Sequence, residues 1–370
     1  MFLFASQSKL CCCWFGDCDS VLKMLGQLIV SLAVFFSIAL TVVAATDPHS
    51  FDSWCLGKCD RDAHTVSQPG AVLMGGGKDT DEAFVWQIKN ANGGDFLVLR
   101  ASGDDAYNNY IYGLSVASGT TLNSVTTVLF NNKKASSDPE VLDLIRNAEA
   151  IFFAGGDQSQ YVDYFVGTEV QSIIQSKLTS VTVGGTSAGL AILGNFVYSG
   201  ENGSVESPTA MANPYVRSIT IVPAFLHIPF LETIVTDTHF VTRDRMGRML
   251  TFLARDLQDD KALTLSRAVG VDEHTALLLN VTTGDAQAVG INSAYVCTAN
   301  HDPETCLDRT PLTFTGIACT RLSGALQSTY SFQSFQALSG GVDYVNDIVQ
   351  GNFTTAPYGP SPAAAGHVKL

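Results

Sequence analysis

Gly185-Thr186-Ser187-Ala188-Gly189 lies between a short β-branched run, Val181-Thr182-Val183, and an apolar stretch of helical character. A serine hydroxyl becomes a useful nucleophile only when the chain exposes it and a base takes its proton. The G-x-S-x-G pattern between strand and helix meets the first need. Its glycines let the backbone bend sharply, and the Ala188 N–H at the helix start points where an oxyanion would form. The same five residues also suit an ordinary tight turn, so other parts of the chain must supply the partners.

Among seven histidines, His239 stands out because it follows a strand-like run in Asp237-Thr238-His239-Phe240. His227 (FLHIPF) and His274 (DEHTALLL) compete for the role of base, but their apolar surroundings suit structural positions. A third group should orient the imidazole and hold its tautomer. Glu201 and Glu206, in SGENGSVES after the serine's helix, are the candidates, and Asp237 is a further carboxylate close to His239. Arg243, Arg245 and Arg248 follow within a few residues. In a chain with 21 Lys and Arg against 35 Asp and Glu, that clustering reads as a carboxylate-binding site. Guanidinium forks pair bidentately with carboxylates.

Elements that could hold these groups alternate along the chain. Apolar strand-like runs occur at 71–75, 95–101, 125–130, 150–156 and 181–185, with helix candidates over Asp81–Asn90 and Asp138–Ala148. Apolar strands alternating with helices predict a parallel sheet covered on both faces, with ligands beyond the carboxyl ends of its strands. Three runs end in loops that could carry chemistry: Gly75-Gly76-Gly77, Gly155-Gly156-Asp157-Gln158 and Gly185-Thr186-Ser187. A second half, after an amphipathic helix near residues 243–257, is richer in β-type sequence. It contains a hairpin expected at Thr282-Thr283-Gly284-Asp285.

The formal charge of −14 argues against nucleic acid or an anionic membrane surface as partner. Leu25 to Ala45 is uncharged, mostly apolar and ends in small residues, which predicts a secretory signal over 1–45 and a secreted protein. An uncleaved anchor over 25–45 is the alternative, and Met24 is an alternative start to Met1. The remaining organisation reads as an extension over 46–70, one catalytic domain over 71–350 and a disordered Pro/Ala/Gly-rich tail over 351–370. An oxidising compartment would permit disulfides, with Cys55–Cys59 and Cys297–Cys306 as local pairings. It would also permit glycosylation at the sequons of Asn202, Asn280 and Asn352. The cysteines lack the histidine or second CxxC of a zinc site, so no metal is expected there, and a serine–histidine hydrolysis requires no cofactor.

GGTSAG, FFAGGDQ and DTHFVTRDRMGRM, in that order, resemble the cyanophycinase branch of a serine peptidase family that also holds the aspartyl dipeptidase called peptidase E. The resemblance runs from about Ala71 to Tyr295, including the GGG strand end and VGVDEHTAL. It implies an α/β fold, mostly parallel with helices on both faces, similar to class I glutamine amidotransferases and thus flavodoxin-like. Carried over residue by residue, Ser187 is the nucleophile, His239 the base and Glu201 the acid, with Glu206 as alternative. Gly156 and Ala188 N–H groups would form the oxyanion hole. Gln158, Asp237, Arg243, Arg245 and Arg248 would line the substrate pocket, and a homodimer is implied.

One departure matters: cyanophycinases usually carry Asp-Gln-His where this chain has Asp237-Thr238-His239. The expected activity is therefore hydrolysis of acidic or β-aspartyl peptides carrying carboxylate groups, rather than of cyanophycin itself. Alternatives are an α/β-hydrolase-type esterase and a noncatalytic carboxylate-binding protein on the same fold.

Overall fold

The computed structural model describes residues 49–360. The leader expected over 1–45 lies outside them, as does the tail beyond residue 360. The chain divides into two units, Met1–His49 and Ser50–Leu370, and the fold below is that of the second.

Strands β2 (Gly70–Met74, GAVLM) and β5 (Ala150–Phe153, AIFF) are buried at every residue. Apolar runs of this kind need cover on both faces. They pair in parallel with β3 (Asp95–Arg100), β4 (Ser124–Phe130) and β6 (Thr182–Thr186), in the order β4-β3-β5-β6-β2. The crossovers carry helices α1 (Asp81–Ala91), α2 (Ala106–Ala117), α3 (Pro139–Asn147), α4 (Gln158–Phe165) and α5 (Glu169–Lys177). Local chemistry sets their ends. Asp138 caps α3 by accepting from Glu140 N–H at 3.0 Å, with Pro139 in the first turn. Asn92 closes α1 in the left-handed conformation.

β1 (Phe51–Gly57) adds antiparallel to the outer edge of β4, so the stretch expected as an extension over 46–70 supplies an edge strand. On the far side of β2 the sheet continues antiparallel through β11 (Thr275–Leu279), β12 (Asp285–Gly290), β15 (Thr329–Ser331) and β16 (Gln336–Ser339). The turn at Thr282–Asp285 joins β11 and β12 as a hairpin, as the sequence suggested.

Among the described residues, the second sheet has eight strands. Its centre pairs β7 (Phe196–Tyr198), β9 (Ile234–Asp237) and β10 (Ser266–Val271) in parallel, with β8 (Ile221–Pro223) antiparallel at the edge. Beyond β10 run β13 (Ser293–Ala299), β14 (Phe314–Ser323), β17 (Gly341–Val349) and β18 (Asn352–Phe353), all antiparallel. The expectation of a mostly parallel sheet is thus corrected: among the described residues antiparallel pairings outnumber parallel ones. Hairpin turns in the second half replace the helical crossovers that parallel pairing requires. Within the expected tail, residues 351–360 are ordered instead, because β18 pairs with β17 and the Tyr358 hydroxyl donates to Asp244 at 2.8 Å. Three short or amphipathic helices complete the unit: α6 (Ala188–Ala191), α7 (Ser207–Ala212) and α8 (Met246–Asp259).

One hydrophobic cluster draws on both sheets, including Leu73, Ile151 and Val183 from the first and Val269, Val271 and Val296 from the second. The strand ends that carry polar groups are therefore held by a shared core. Cys55 and Cys59 form the expected local disulfide, whereas Cys297 bonds Cys319 and not Cys306. Register explains the second pairing: Cys297 lies opposite Cys319 across β13 and β14, and Cys306 is a buried free thiol. Asn202, Asn280 and Asn352 are all exposed.

Candidate active site

Ser187 occupies the turn between β6 and α6 at φ 53°, ψ −119°, a conformation that L-residues seldom adopt. The turn is locked from both sides. Ser187 N–H donates to Met74 O of β2 at 3.1 Å, and Ser187 O accepts from Leu190 and Ala191 at 3.0 Å each. Backbone crowding accounts for the flanking glycines. A Cβ on Gly185 would lie 2.3 Å from Gly189 O, and one on Gly189 would lie 2.1 Å from Phe153 O. The serine therefore projects from a position the surrounding structure over-determines.

β9 delivers His239 to the same place. Its Nε2 lies 2.7 Å from Ser187 Oγ, and its Nδ1 lies 2.6 Å from Glu273 Oε1. An ionised carboxylate only accepts, so the proton sits on Nδ1 and Nε2 is free to take the serine proton. His239 N–H donates to Gly75 O at 2.8 Å, and Gly76 is small because the imidazole lies against it (a Cβ there would come within 2.5 Å of the ring). The glycines after β2 thus seat the base.

The acid comes from the end of β10, the strand parallel to β9. Neighbouring carboxylates there divide the work. Asp272 accepts from Val241 N–H, Thr242 N–H and Thr242 Oγ1 at about 3 Å and fixes the loop after the histidine. Glu273 grips the imidazole itself. Glu201 and Glu206, expected as acid and alternative, do not fill this role. Both are exposed, Glu201 accepts weakly from Asn202 Nδ2 at 3.4 Å, and Glu206 precedes α7. Neither competing histidine borders the serine's pocket: His227 Nδ1 pairs with Asn195 Oδ1 at 3.1 Å, and His274 lines a separate cavity with Lys78 and Glu82.

His239 is 6% exposed, and its pKa is held below the ordinary 6.5. Burial is the main cause, reinforced by Arg243 and Arg245, while the hydrogen bond and charge of Glu273 pull the other way. The imidazole is therefore neutral around pH 7, as a base must be.

These groups border a cavity of about 320 Å³ that also takes in Gly156, Gln158 and Ala188. The N–H groups of Gly156 and Ala188 have no protein acceptor among the described residues, which leaves both able to donate to a developing oxyanion. Gln158, the first residue of α4, reaches the opposite wall beside Gly200.

The three arginines differ sharply. Arg248 is 3% exposed and forms a bidentate pair with Asp237, at 2.8 Å through Nε and 2.5 Å through Nη2. It also donates to Ser204 Oγ and Val205 O and lies over the Tyr198 ring. Asp237 is accordingly the counterion of Arg248, and the two brace the pocket floor. Arg245 is pinned by Thr238, donating to its carbonyl at 2.9 Å and its hydroxyl at 3.1 Å, and burial lowers its pKa to about 10. Arg243 has a half-exposed side chain, with the Glu273 carboxylate 3.9 Å from its Nε. Of the three, it is the guanidinium most open to a ligand. A metal-type set does exist among the described residues, Asp62, His64 and Glu149 within 4.8 Å, but it lies at the amino ends of the strands, away from this pocket.

The order of the groups along the chain is informative: serine, then histidine 52 residues on, then glutamate a further 34. An α/β-hydrolase places its acid before its histidine. The arrangement is one that can carry out nucleophilic acyl transfer with a serine, an imidazole and a carboxylate in relay.

Known proteins are similar to part of the chain. The chain is 30% identical over 140 residues to a cyanophycinase of Geminocystis herdmanii, covering 37% of this chain and 45% of that protein. It is 28% identical over 148 residues to a cyanophycinase of Trichormus variabilis, covering 40% and 44%. The chain thus spans a little under half the length of the curated relatives it matches. These relatives support the resemblance to a cyanophycinase-like peptidase family that the motifs carry. Two solved structures are similar as well: a peptidase from an acI-B1 Actinobacterium (19% identity, TM-score 0.47, 62% of this chain and 91% of that one) and a putative peptidase E protein from Listeria monocytogenes EGD-e (13%, 0.39, 61% and 100%). No family model matches the chain.

Proposed function

We propose that the protein is a serine peptidase of cyanophycinase-like type that hydrolyses acidic or β-aspartyl peptide bonds, on a fold resembling class I glutamine amidotransferases. The observation that carries this reading is the relay Ser187–His239–Glu273, at 2.7 and 2.6 Å, beside an arginine-lined pocket. Ser187 Oγ attacks the scissile carbonyl carbon as His239 Nε2 takes its proton, and Glu273 stabilises the imidazolium. Gly156 and Ala188 N–H groups receive the oxyanion. The imidazolium then protonates the departing amine, and a water activated by the same histidine releases the acyl group.

Arg243, at the mouth and with an exposed side chain, anchors a substrate carboxylate and aligns the bond to be cut. Thr238 supports a substrate other than cyanophycin, because its short side chain is already engaged with Arg245 where the relatives usually carry glutamine. Two disulfides among the described residues and three exposed sequons support passage through the secretory pathway.

Turnover of an acidic and β-aspartyl peptide panel by the purified protein, beside Ser187→Ala, tests the reading. Activity is expected in the wild type and a loss of about 10³-fold or more in the variant. Equal activity in both proteins, or peptide-inert protein that turns over simple esters, overturns it. A protein that binds these peptides but neither cleaves them nor reacts with a fluorophosphonate at Ser187 is the noncatalytic alternative.

A further inference from the structure

We infer that Asn202 is N-glycosylated and that its glycan borders the mouth of the catalytic pocket, favouring short substrates over long ones. The inference rests on the peptidase and secretory reading above. Asn202-Gly203-Ser204 is a complete acceptor triplet, and its asparagine is exposed at the tip of a turn closed by Gly203 N–H to Gly200 O at 2.9 Å. The flanking residues Gly200, Gly203 and Ser204 line the cavity that holds Ser187 and His239. Asn202 itself stands just outside that lining, its amide donating to Thr220 Oγ1, so the modified side chain would leave a segment whose neighbours form the pocket wall.

That wall is rigid. Tyr198 OH donates to Gly203 O at 2.9 Å and accepts from Val205 N–H at 3.1 Å, and Arg248 donates to Ser204 Oγ at 3.2 Å. Arg248 is in turn fixed by Asp237. A glycan attached here cannot swing away with a mobile loop, so its volume stays at the entrance. The other two sequons lack this placement. Asn280 accepts from Thr282 and Thr283 N–H in the β11–β12 turn, and Asn352 opens β18; neither has a chain neighbour that lines the pocket.

In the modification, the Asn202 amide nitrogen bonds to the anomeric carbon of a lipid-pyrophosphate-linked oligosaccharide. The anomeric carbon–oxygen bond to pyrophosphate breaks, and the amide gives up one of its two protons. Its remaining N–H can still donate to Thr220 Oγ1, the present partner at 3.1 Å.

The test uses the full chain secreted from a glycosylating eukaryotic host. Peptide mapping after glycosidase treatment in heavy-oxygen water reads occupancy at each sequon. Turnover of a β-aspartyl dipeptide and of a long acidic polypeptide is then compared for the wild type, Asn202→Gln, and an Asn280→Gln/Asn352→Gln control. Occupancy at Asn202 is expected. Its removal should raise kcat/KM for the long substrate about fivefold, equivalent to about 1 kcal/mol, with the dipeptide and the control unchanged. An unoccupied Asn202, or a long-to-short ratio that Asn202→Gln leaves unchanged, overturns the inference while the peptidase reading stands. If neither substrate is cleaved by any form, it is the peptidase reading that fails, and with it the size filter.

Discussion

The two ends of the parallel strands β2 to β6 differ in a way that volume alone would misjudge. At the amino ends lies the larger cavity, about 460 Å³, bordered by the Cys55–Cys59 disulfide, Asp62 and Asp95. Glu149 is buried beside Asp95, accepting its N–H at 2.7 Å. Its pKa is pushed up to about 7, first by burial and then by the charges of Asp95 and Asp62, with Lys177 as the opposing cation. At the carboxyl ends the cavity is smaller, yet its carboxylates have close partners: Asp237 has Arg248, and Glu273 has His239. The strained serine sits there too. What separates the ends is paired charge around a strained serine, against crowded like charge with none.

The sharpest way to break that comparison is to remove the acid from the relay. Glu273→Gln keeps the shape but no longer stabilises the imidazolium or enforces its tautomer. A fall of about 10²–10⁴-fold in kcat is expected. Glu201→Gln and Glu206→Gln, the positions the sequence favoured, should leave kcat/KM within about twofold, as surface substitutions generally do. If either of them matched Glu273→Gln, the relay described above would be the wrong one.

Next in size is the contrast among the arginines. Arg248→Ala leaves Asp237 buried with its main counterion gone, so thermal or urea unfolding should show a loss of about 3–5 kcal/mol. Arg243→Ala touches a half-exposed side chain and should leave stability nearly unchanged. It should raise KM for carboxylate-bearing peptides about tenfold, the scale of one charge-assisted hydrogen bond. A destabilised Arg243 variant with normal KM would reverse the assignment of bracing and binding.

A smaller effect concerns pH. The base must be neutral, and the pKa of His239 lies below 6.5, so the acidic limb of kcat/KM should fall below pH 6.5. Burial is the main cause and Arg243 contributes in the same direction, so Arg243→Ala should move that limb upward. A limb that stays put in the variant would show that burial and Arg245 suffice.

Much of the carboxyl end was legible because its motifs are contiguous. GGTSAG specifies a crowded glycine turn, and DTHF ends a strand, so Ser187 and His239 could be read without coordinates. Glu273 is less legible, although it lies in VGVDEHTAL, because it stands far from the serine in sequence. The available signal was topological: β10 runs parallel to β9, so its end must lie beside His239. Helical spacing placed the arginines together but could not show that Arg248 turns inward to Asp237. In the fold, both-face burial marked β2 to β6 clearly. The antiparallel additions of β13, β14 and β17 depend on distant pairing, which also joined Cys297 to Cys319 and left Cys306 alone.

The last expectation tests the amino end, where the effect should be smallest. Glu149 has an ordinary pKa of 4.5 and a folded value near 7, so between those limits the folded chain holds a proton that the unfolded chain releases. Stability from this group is therefore present below pH 4.5 and lost as pH rises through 7. Glu149→Gln stays uncharged and can still accept from Asp95 N–H. Its melting temperature should decline less than that of the wild type between pH 4.5 and 7. Asp256, a buried carboxyl on α8 pushed up to about 8, adds a similar slope to both proteins and cancels in the difference. Parallel melting curves would mean that Glu149 is ionised and compensated, and the two ends of the sheet would then handle buried charge in the same way.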